Sequence, residues 1–271
     1  MRQSEQKQEH TNSWYAATVN EVTDYPQLRG AETADICVVG GGFSGVSTAL
    51  TLAERGYSVA LVEANRIGWG ASGRNGGQLI HGGCGLDKLL KKHGDSIADM
   101  VWEMKWRGND IIRERVRKYD IDCDLKDGWA EVATKPSQVE WLHEYAEDRK
   151  AHNAPETYEI WDRDETCENL GTDAFHGTFI CYRDGHLHPL NLCIGEARAA
   201  HGLGVKIFEQ SPVIDIEHGA RPKVRKANGY VEADSVILCG NAYSQFNGLK
   251  NLVFPAGSYV IATEPLGEEV V

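Results

Sequence analysis

Gly40-Gly41-Gly42-Phe43-Ser44-Gly45 sets glycines at the first, third and sixth positions of a run that follows the apolar Ile36–Val39. Gly40 permits a tight turn, Gly42 lets a diphosphate approach bare backbone, and Gly45 lets a following helix pack close to a strand. The first N–H groups of such a helix lack partners within it and carry the positive end of its dipole, so they face an anion. Glu63 follows Gly40 by 23 residues, at the end of a second apolar run, Tyr57–Val62. A carboxylate there accepts hydrogen bonds from ribose hydroxyls and disfavours a 2′-phosphate. Strand, turn, helix, strand and acid in this order point to a bound dinucleotide rather than a glycine-rich surface turn, although Arg66 nearby leaves NADP disfavoured and not excluded.

A second glycine-rich stretch runs Gly68-Trp69-Gly70-Ala71-Ser72-Gly73-Arg74-Asn75-Gly76-Gly77-Gln78. A nicotinamide dinucleotide does not require such a loop directly after the ribose acid. A cofactor whose ring lies against bare backbone does, and a mobile surface loop is the alternative. Other candidates carry less. His186 and His188 lie beside Asp184, but a metal needs three or four convergent ligands, and His188 before Pro189 reads as a helix cap or a packing residue. Cys84 follows Gly82-Gly83 without an identifiable histidine partner. No acid–base pair stands out, so no catalytic residue and no metal ligand is assigned.

The elements that position these groups follow from periodicity. Ile36–Val39 and Tyr57–Val62 read as buried strands, with a helix from Ser44 to about Arg55 that ends before Gly56. Ile97, Met100, Val101, Met104, Ile111, Ile112 and Val116 recur at three- and four-residue steps, as on a long amphipathic helix. Trp129–Ala133 reads as a strand, and Ser137 as the N-cap of a helix through Ala146. A strand at Thr178–Tyr182 precedes a helix from Pro189 to about Ala200. Strands are expected at Val205–Phe208, Val213–Ile216 and Lys223–Arg225, the last turning at Asn228-Gly229 into Tyr230–Val231. Ser235–Cys239 and Tyr259–Thr263 complete the strands, and residues 1–34 form a polar arm.

With 271 residues, 41% hydrophobic and 25% charged, the chain holds one domain and most of another. A net charge of −12 argues against nucleic acid or an anionic membrane as partner. Seven cysteines, an odd number without a CxxC pair, suggest a reducing, cytoplasmic compartment. Ile36–Ala53 runs 18 residues without a charge, but three consecutive glycines interrupt it, so it is no membrane span. The opening MRQSEQKQEH has no apolar stretch and is no secretory signal.

The run VVGGGFSGVSTALTLAERGYSVALVEANRIGWGASGRNGGQ resembles the amino-terminal region of FAD-dependent amine and amino-acid oxidases of the glycine oxidase and D-amino-acid oxidase type. IIRERVRKYDIDCDL at 111–125, GHLHPLNLCIGEARA at 185–199 and VILCGNAYS at 236–244 extend the resemblance over nearly the whole chain. It implies an α/β fold: an FAD-binding Rossmann-like domain of the glutathione-reductase type, interleaved with an antiparallel-sheet substrate domain. By the same resemblance Gly40, Gly42, Phe43, Ser44 and Gly45 hold the pyrophosphate of FAD, and Glu63 and Ala64 the ribose, with Arg66 near the adenosine. Gly70, Ala71, Ser72, Arg74, Asn75, Gly76, Gly77 and Gln78 lie along the pyrophosphate, ribityl and isoalloxazine side. Val213 pairs its backbone with the adenine edge, and Gly240 with Asn241 forms a later flavin-domain turn.

The implied division is an N-terminal arm at 1–34, FAD-binding parts at 35–90 and 177–245, and substrate-domain parts at 91–176 and 246–271. Family members are longer, so the last part is expected to be incomplete. The implied reaction oxidises the C–N bond of a small-molecule amine of the gamma-glutamylputrescine kind, releasing ammonia and, with dioxygen as electron acceptor, hydrogen peroxide. Alternatives are an oxidase or dehydrogenase of the same fold acting on another amine or amino acid, or a non-catalytic dinucleotide-binding fragment. Expected partners are a second copy or a completing subunit, with neither nucleic acid nor membrane.

Overall fold

The computed structural model describes residues 9–80, 92, 95–151, 158–243, 256–259, 261 and 263. Cys84, the expected boundary after residue 90 and most of 246–271 lie outside the described residues. In chain order the elements begin with α1 (Trp14–Ala17), β1 (Gly30–Val39), α2 (Phe43–Glu54), β2 (Val59–Val62), β3 (Gln78–Leu79), α3 (Asp95–Lys118) and β4 (Lys126–Val132). They continue with α4 (Val139–Ala151), β5 (Tyr158–Trp161), α5 (Arg163–Leu170), β6 (Thr178–His186) and α6 (Pro189–Gly202). The last strands are β7 (Lys206–Phe208), β8 (Asp215–Glu217), β9 (Lys223–Lys226) and β10 (Gly229–Leu238). Two compact units result: Met1–Gly76, Arg115–Cys123 and His188–Val271 in the first, Gly77–Glu114 and Asp124–Leu187 in the second.

The first unit is built on a six-stranded sheet in the order β7-β2-β1-β10-β9-β8. The first four strands run parallel, β9 runs antiparallel to β10, and β8, antiparallel to β9, returns to the direction of the first four. β1 has β2 on one side and the much later β10 on the other, so the carboxyl ends of β1 and β10 form a topological switch point, where open α/β sheets bind their ligands. On one face Val38 and Leu61 pack with Val46, Ala49 and Leu50 of α2 and with Leu190, Cys193, Ile194 and Ala197 of α6. The other face buries Val39, Val62, Phe208, Val224 and Val231 together with Leu28.

Several strands differ from the sequence reading because pairing overrides local pattern. β1 starts at Gly30, since Ala31–Ala34 pair with Tyr230–Ala233 of β10. β10 is one ten-residue strand where two short ones were expected, because β1 supports it from Gly229 to Leu238. Lys226 pairs with Gly229, so the hairpin turn is Ala227-Asn228 and not Asn228-Gly229. Val213 and Ile214 precede β8 rather than forming it. The described residues of the expected strand Tyr259–Thr263, namely Tyr259, Ile261 and Thr263, carry no strand.

In the second unit β6 is flanked by β4 on one side and by β3 and β5 on the other, all antiparallel. Phe179, Trp106, Leu142, Ala133, Ala146 and Cys181 form its core. The helix expected from a Ser137 cap instead begins with a turn at Pro136–Gln138, in which the Gln138 side chain accepts from Lys135 N–H at 3.0 Å. Among the described residues no helix is long and apolar enough to cross a membrane.

Candidate cofactor site

β1 leads into Gly40, whose N–H donates to Val62 O at 2.9 Å and whose φ of +111° turns the chain sharply. A Cβ at Gly40 would lie 2.6 Å from Cys239 O, and one at Gly45 would overlap the carbonyl oxygen of Gly40. Both positions require glycine because backbone touches backbone there. α2 starts from Gly42, an N-cap with no side chain to satisfy the first-turn amides. The N–H of Phe43 donates to Ser72 Oγ at 2.9 Å, and a Cβ at Gly42 would come within 2.8 Å of the same hydroxyl. A bare helix start, a second loop's hydroxyl against it and space that only glycine leaves open together suit a phosphate.

Glu63 follows β2 directly. Its Oε2 accepts from Gly41 N–H at 2.6 Å and its Oε1 from Asn65 N–H at 2.7 Å. Burial pushes its carboxyl above the usual range, while the backbone N–H groups of Asn65, Gly41 and Ala64 pull it back. An ionised carboxylate offers about four acceptor sites, so room for ribose hydroxyls remains. Glu63 O also receives Ser211 N–H at 2.8 Å and Asn65 O receives Gln210 N–H at 2.9 Å, which brings the approach to Val213 alongside. Val213 itself packs, partly buried, on the second face of the sheet.

The second loop is stitched to the first. Gly68 donates to Gly41 O at 2.9 Å, and Gly70 caps a turn over Ala71–Gly73. The Asn75 amide donates to Ala71 O at 3.2 Å and Ser72 O at 2.9 Å, fixing the loop from inside. Arg74 donates to Trp69 O and lays its guanidinium 4.9 Å from the centre of the Trp69 ring. Beyond β10, Cys239 N–H donates to Val39 O at 2.7 Å, and Gly240 leads into a turn over Asn241–Tyr243 with Asn241 at φ +48°. Tyr243 meets Trp69 edge-on at 5.7 Å.

The first unit thus gathers Gly40–Gly45, Glu63, Ala64, Gly70–Asn75, Gly240 and Asn241 around the carboxyl ends of β1 and β10. Gly76 closes the first segment of that unit, while Gly77 and Gln78 belong to the second, where Gln78 opens β3. Arg66, expected beside the adenosine, sends its buried guanidinium into three carboxylates: Glu9 at 2.9 and 3.0 Å, Asp24 at 3.0 Å and Glu209 at 3.0 Å. Sequence reasoning missed Glu209, a fully buried carboxylate, and Glu9 in the polar arm. Neither has a local signature. His188 caps α6, its Nδ1 accepting from Asn191 N–H at 3.1 Å.

Residues 35–271 match the DAO family, described as FAD dependent oxidoreductase. The chain is 41% identical over 271 residues to the "Probable oxidoreductase OrdL" of Haemophilus influenzae, covering 97% of this chain and 63% of that protein. It is 41% identical over 266 residues to the gamma-glutamylputrescine oxidoreductase of Escherichia coli K12, covering 97% and 62%. It therefore spans less than two thirds of the length of these relatives. Among solved structures, the L-amino acid deaminase from Proteus myxofaciens superposes with a TM-score of 0.71 at 22% identity, covering 87% of this chain and 52% of that one. Glycine oxidase from Geobacillus kaustophilus gives 0.64 at 22% identity, covering 79% and 57%. At that identity the likeness speaks to fold: the α/β architecture is the FAD-binding one of these enzymes.

Proposed function

The chain belongs to the FAD dependent oxidoreductase family, and we propose that it carries the FAD site of an enzyme that oxidises the C–N bond of a primary amine resembling gamma-glutamylputrescine. The observation that carries this reading is the glycine cradle closed by Glu63 and Ser72, in a chain 41% identical to a gamma-glutamylputrescine oxidoreductase. The overall reaction is amine plus dioxygen plus water giving aldehyde, ammonia and hydrogen peroxide. Bound FAD supplies two-electron acceptance from the C–N bond.

The chain's own residues do the binding. The amides at the start of α2 and the positive end of its dipole hold the pyrophosphate, which reaches them because Gly42 has no side chain. Ser72 Oγ, which accepts from Phe43 N–H, keeps its own proton to donate to a phosphate oxygen. Glu63, anchored by Gly41 and Asn65, accepts from the adenosine ribose hydroxyls. The internal bonds of Asn75 hold the second loop open as bare backbone toward the ring. Val213 and the Gly240-Asn241 turn complete the cofactor's surroundings in this reading. Six free cysteines among the described residues agree with a cytoplasmic location.

The test mixes the purified FAD-loaded protein with gamma-glutamylputrescine, putrescine, glycine and larger amino acids, first without oxygen and then with it. The reading expects bleaching of the flavin band by gamma-glutamylputrescine, and peroxide in equal amount to aldehyde once oxygen is admitted. Bleaching by an amino acid alone would move the substrate assignment, and bleaching without peroxide would make the protein a dehydrogenase.

A further inference from the structure

Residues 9–28 belong to the first unit, and Glu9 and Asp24 among them bond to the strut Arg66–Trp69, which joins Glu63 to the second cofactor loop. One buried carboxylate ties the two together. Glu209 accepts from Arg66 at 3.0 Å and Ile67 N–H at 2.7 Å on the strut, and from Thr23 Oγ1 and Tyr25 N–H, the latter at 3.1 Å, on the arm. Glu9 adds a second tie. Its two oxygens take Arg66 Nε and Nη2 as a fork, and its backbone oxygen takes the Trp69 indole N–H at 3.0 Å. From Trp69 the contacts pass through its carbonyl to Arg74 in the second cofactor loop and through its ring to Tyr243 in the turn after β10.

We propose that the N-terminal arm is a latch on the cofactor loops, with Glu9 a positioning residue that acts through Arg66 and Trp69 to hold FAD in place. The proposal rests on the FAD reading above. The Glu9 side chain is 55% exposed, so it adds little to global stability and its effect is local. Thr23 and Tyr25, joined to the buried Glu209, form the hinge side of the latch, and residues 9–12 form the side that can lift. FAD leaves by way of a state in which Glu9 has released Trp69 and the loop at 68–75 has relaxed.

The test follows FAD release from the loaded protein by the rise in free-flavin fluorescence, for wild type, Glu9→Gln, Glu9→Ala and a deletion of residues 1–12. Glu9→Ala is expected to speed release about three- to tenfold, the scale of one well-formed ion pair, with the deletion faster still and Glu9→Gln between. The unfolding temperature of the FAD-free protein should stay within about 2 °C of wild type in Glu9→Ala. Equal release rates across the series would overturn the latch. So would faster release matched by an equal loss of stability in the FAD-free protein, because the arm would then be merely structural. A wild-type protein that takes up no FAD would instead overturn the FAD reading, before any variant is compared.

Discussion

Gly41 and Glu63 hold each other: the backbone N–H of the glycine turn donates to the carboxylate at the end of the next strand across 2.6 Å. The glycine turn and the acid, to which we assign the diphosphate and the ribose, are therefore one hydrogen-bonded unit before any ligand arrives. Glu63→Gln keeps the shape but removes the charge and replaces one accepting oxygen with an amide NH2, which opposes the N–H of either Gly41 or Asn65. We expect FAD affinity to fall about ten- to a hundredfold, the worth of a hydrogen bond to a charged group. Titration of the FAD-free variant with FAD measures this, and an unchanged affinity would place the ribose elsewhere.

Two glycines with different demands should respond differently to alanine. At Gly45 a Cβ would overlap the Gly40 carbonyl, so α2 must move off β1; the cost is at least the ~1–3 kcal/mol of an overpacked core, and FAD uptake is lost with it. At Gly56 nothing lies within 4 Å, and only the φ of +85° resists a side chain. Gly56→Ala should cost about 1–2 kcal/mol and leave FAD affinity as it was. Denaturant unfolding with and without FAD separates the two.

Arg115 on α3 is bound on all sides. It donates to Glu196 at 2.8 Å, to Ser47 Oγ at 2.7 Å and to Thr51 Oγ1 at 2.7 Å, so within the first unit one guanidinium ties α6 to the middle of α2. Glu196 is 3% exposed, and burial pushes its carboxyl upward against the pull of Arg115. Arg115→Ala leaves that carboxyl buried without its guanidinium and is expected to cost about 3–5 kcal/mol. The double replacement Arg115→Met, Glu196→Leu should recover most of this loss in urea unfolding. A double variant as unstable as the single one would show that the helices depend on the charges themselves.

His10 gives the latch region a pH dependence. Burial holds its imidazole below the usual 6.5, with Arg74 and Arg66 adding to this and Glu209 and Glu9 opposing it. The folded state thus binds the proton less readily than the unfolded chain. Its contribution to stability is complete above about pH 6.5 and is lost as pH falls from there toward the lowered folded value. Melting curves across that window should be steeper in pH for wild type than for His10→Gln. A His10→Gln profile that parallels wild type would remove His10 as the source.

The parts of the site that lie close in sequence were legible from it; the parts that meet across the fold were not. Gly40, Gly42, Gly45 and Glu63 belong to one local strand–turn–helix–strand unit, and spacing alone orders them. Glu209 follows β7 with nothing around it to mark a buried charge; its partners Thr23, Tyr25 and Arg66 come from two other segments. Arg66 shows the same limit: the resemblance puts it near the adenosine, and no local pattern marks the three carboxylates that the fold delivers to its guanidinium. In the second unit α5 could have been found. Asp162 accepts from Glu165 N–H while Glu165 accepts from Asp162 N–H, and Gly171 at φ +66° ends the helix, a reciprocal cap visible as D-x-x-E before a glycine. The length of β10 could not, since only its partner β1 makes ten residues one strand.

The visible absorption spectrum of the purified protein with added FAD, compared with that of Gly42→Val, tests most directly whether the cradle between β1 and α2 holds the cofactor. A valine at Gly42 directs its side chain at Ser72 Oγ, 2.8 Å from the Cβ position, and fills the space a diphosphate needs. The account predicts a bound-flavin band in the wild type that survives desalting and is absent from the folded variant. A variant that keeps the band would place the diphosphate elsewhere, and a wild type that stays colourless with FAD would contradict the assignment of this site.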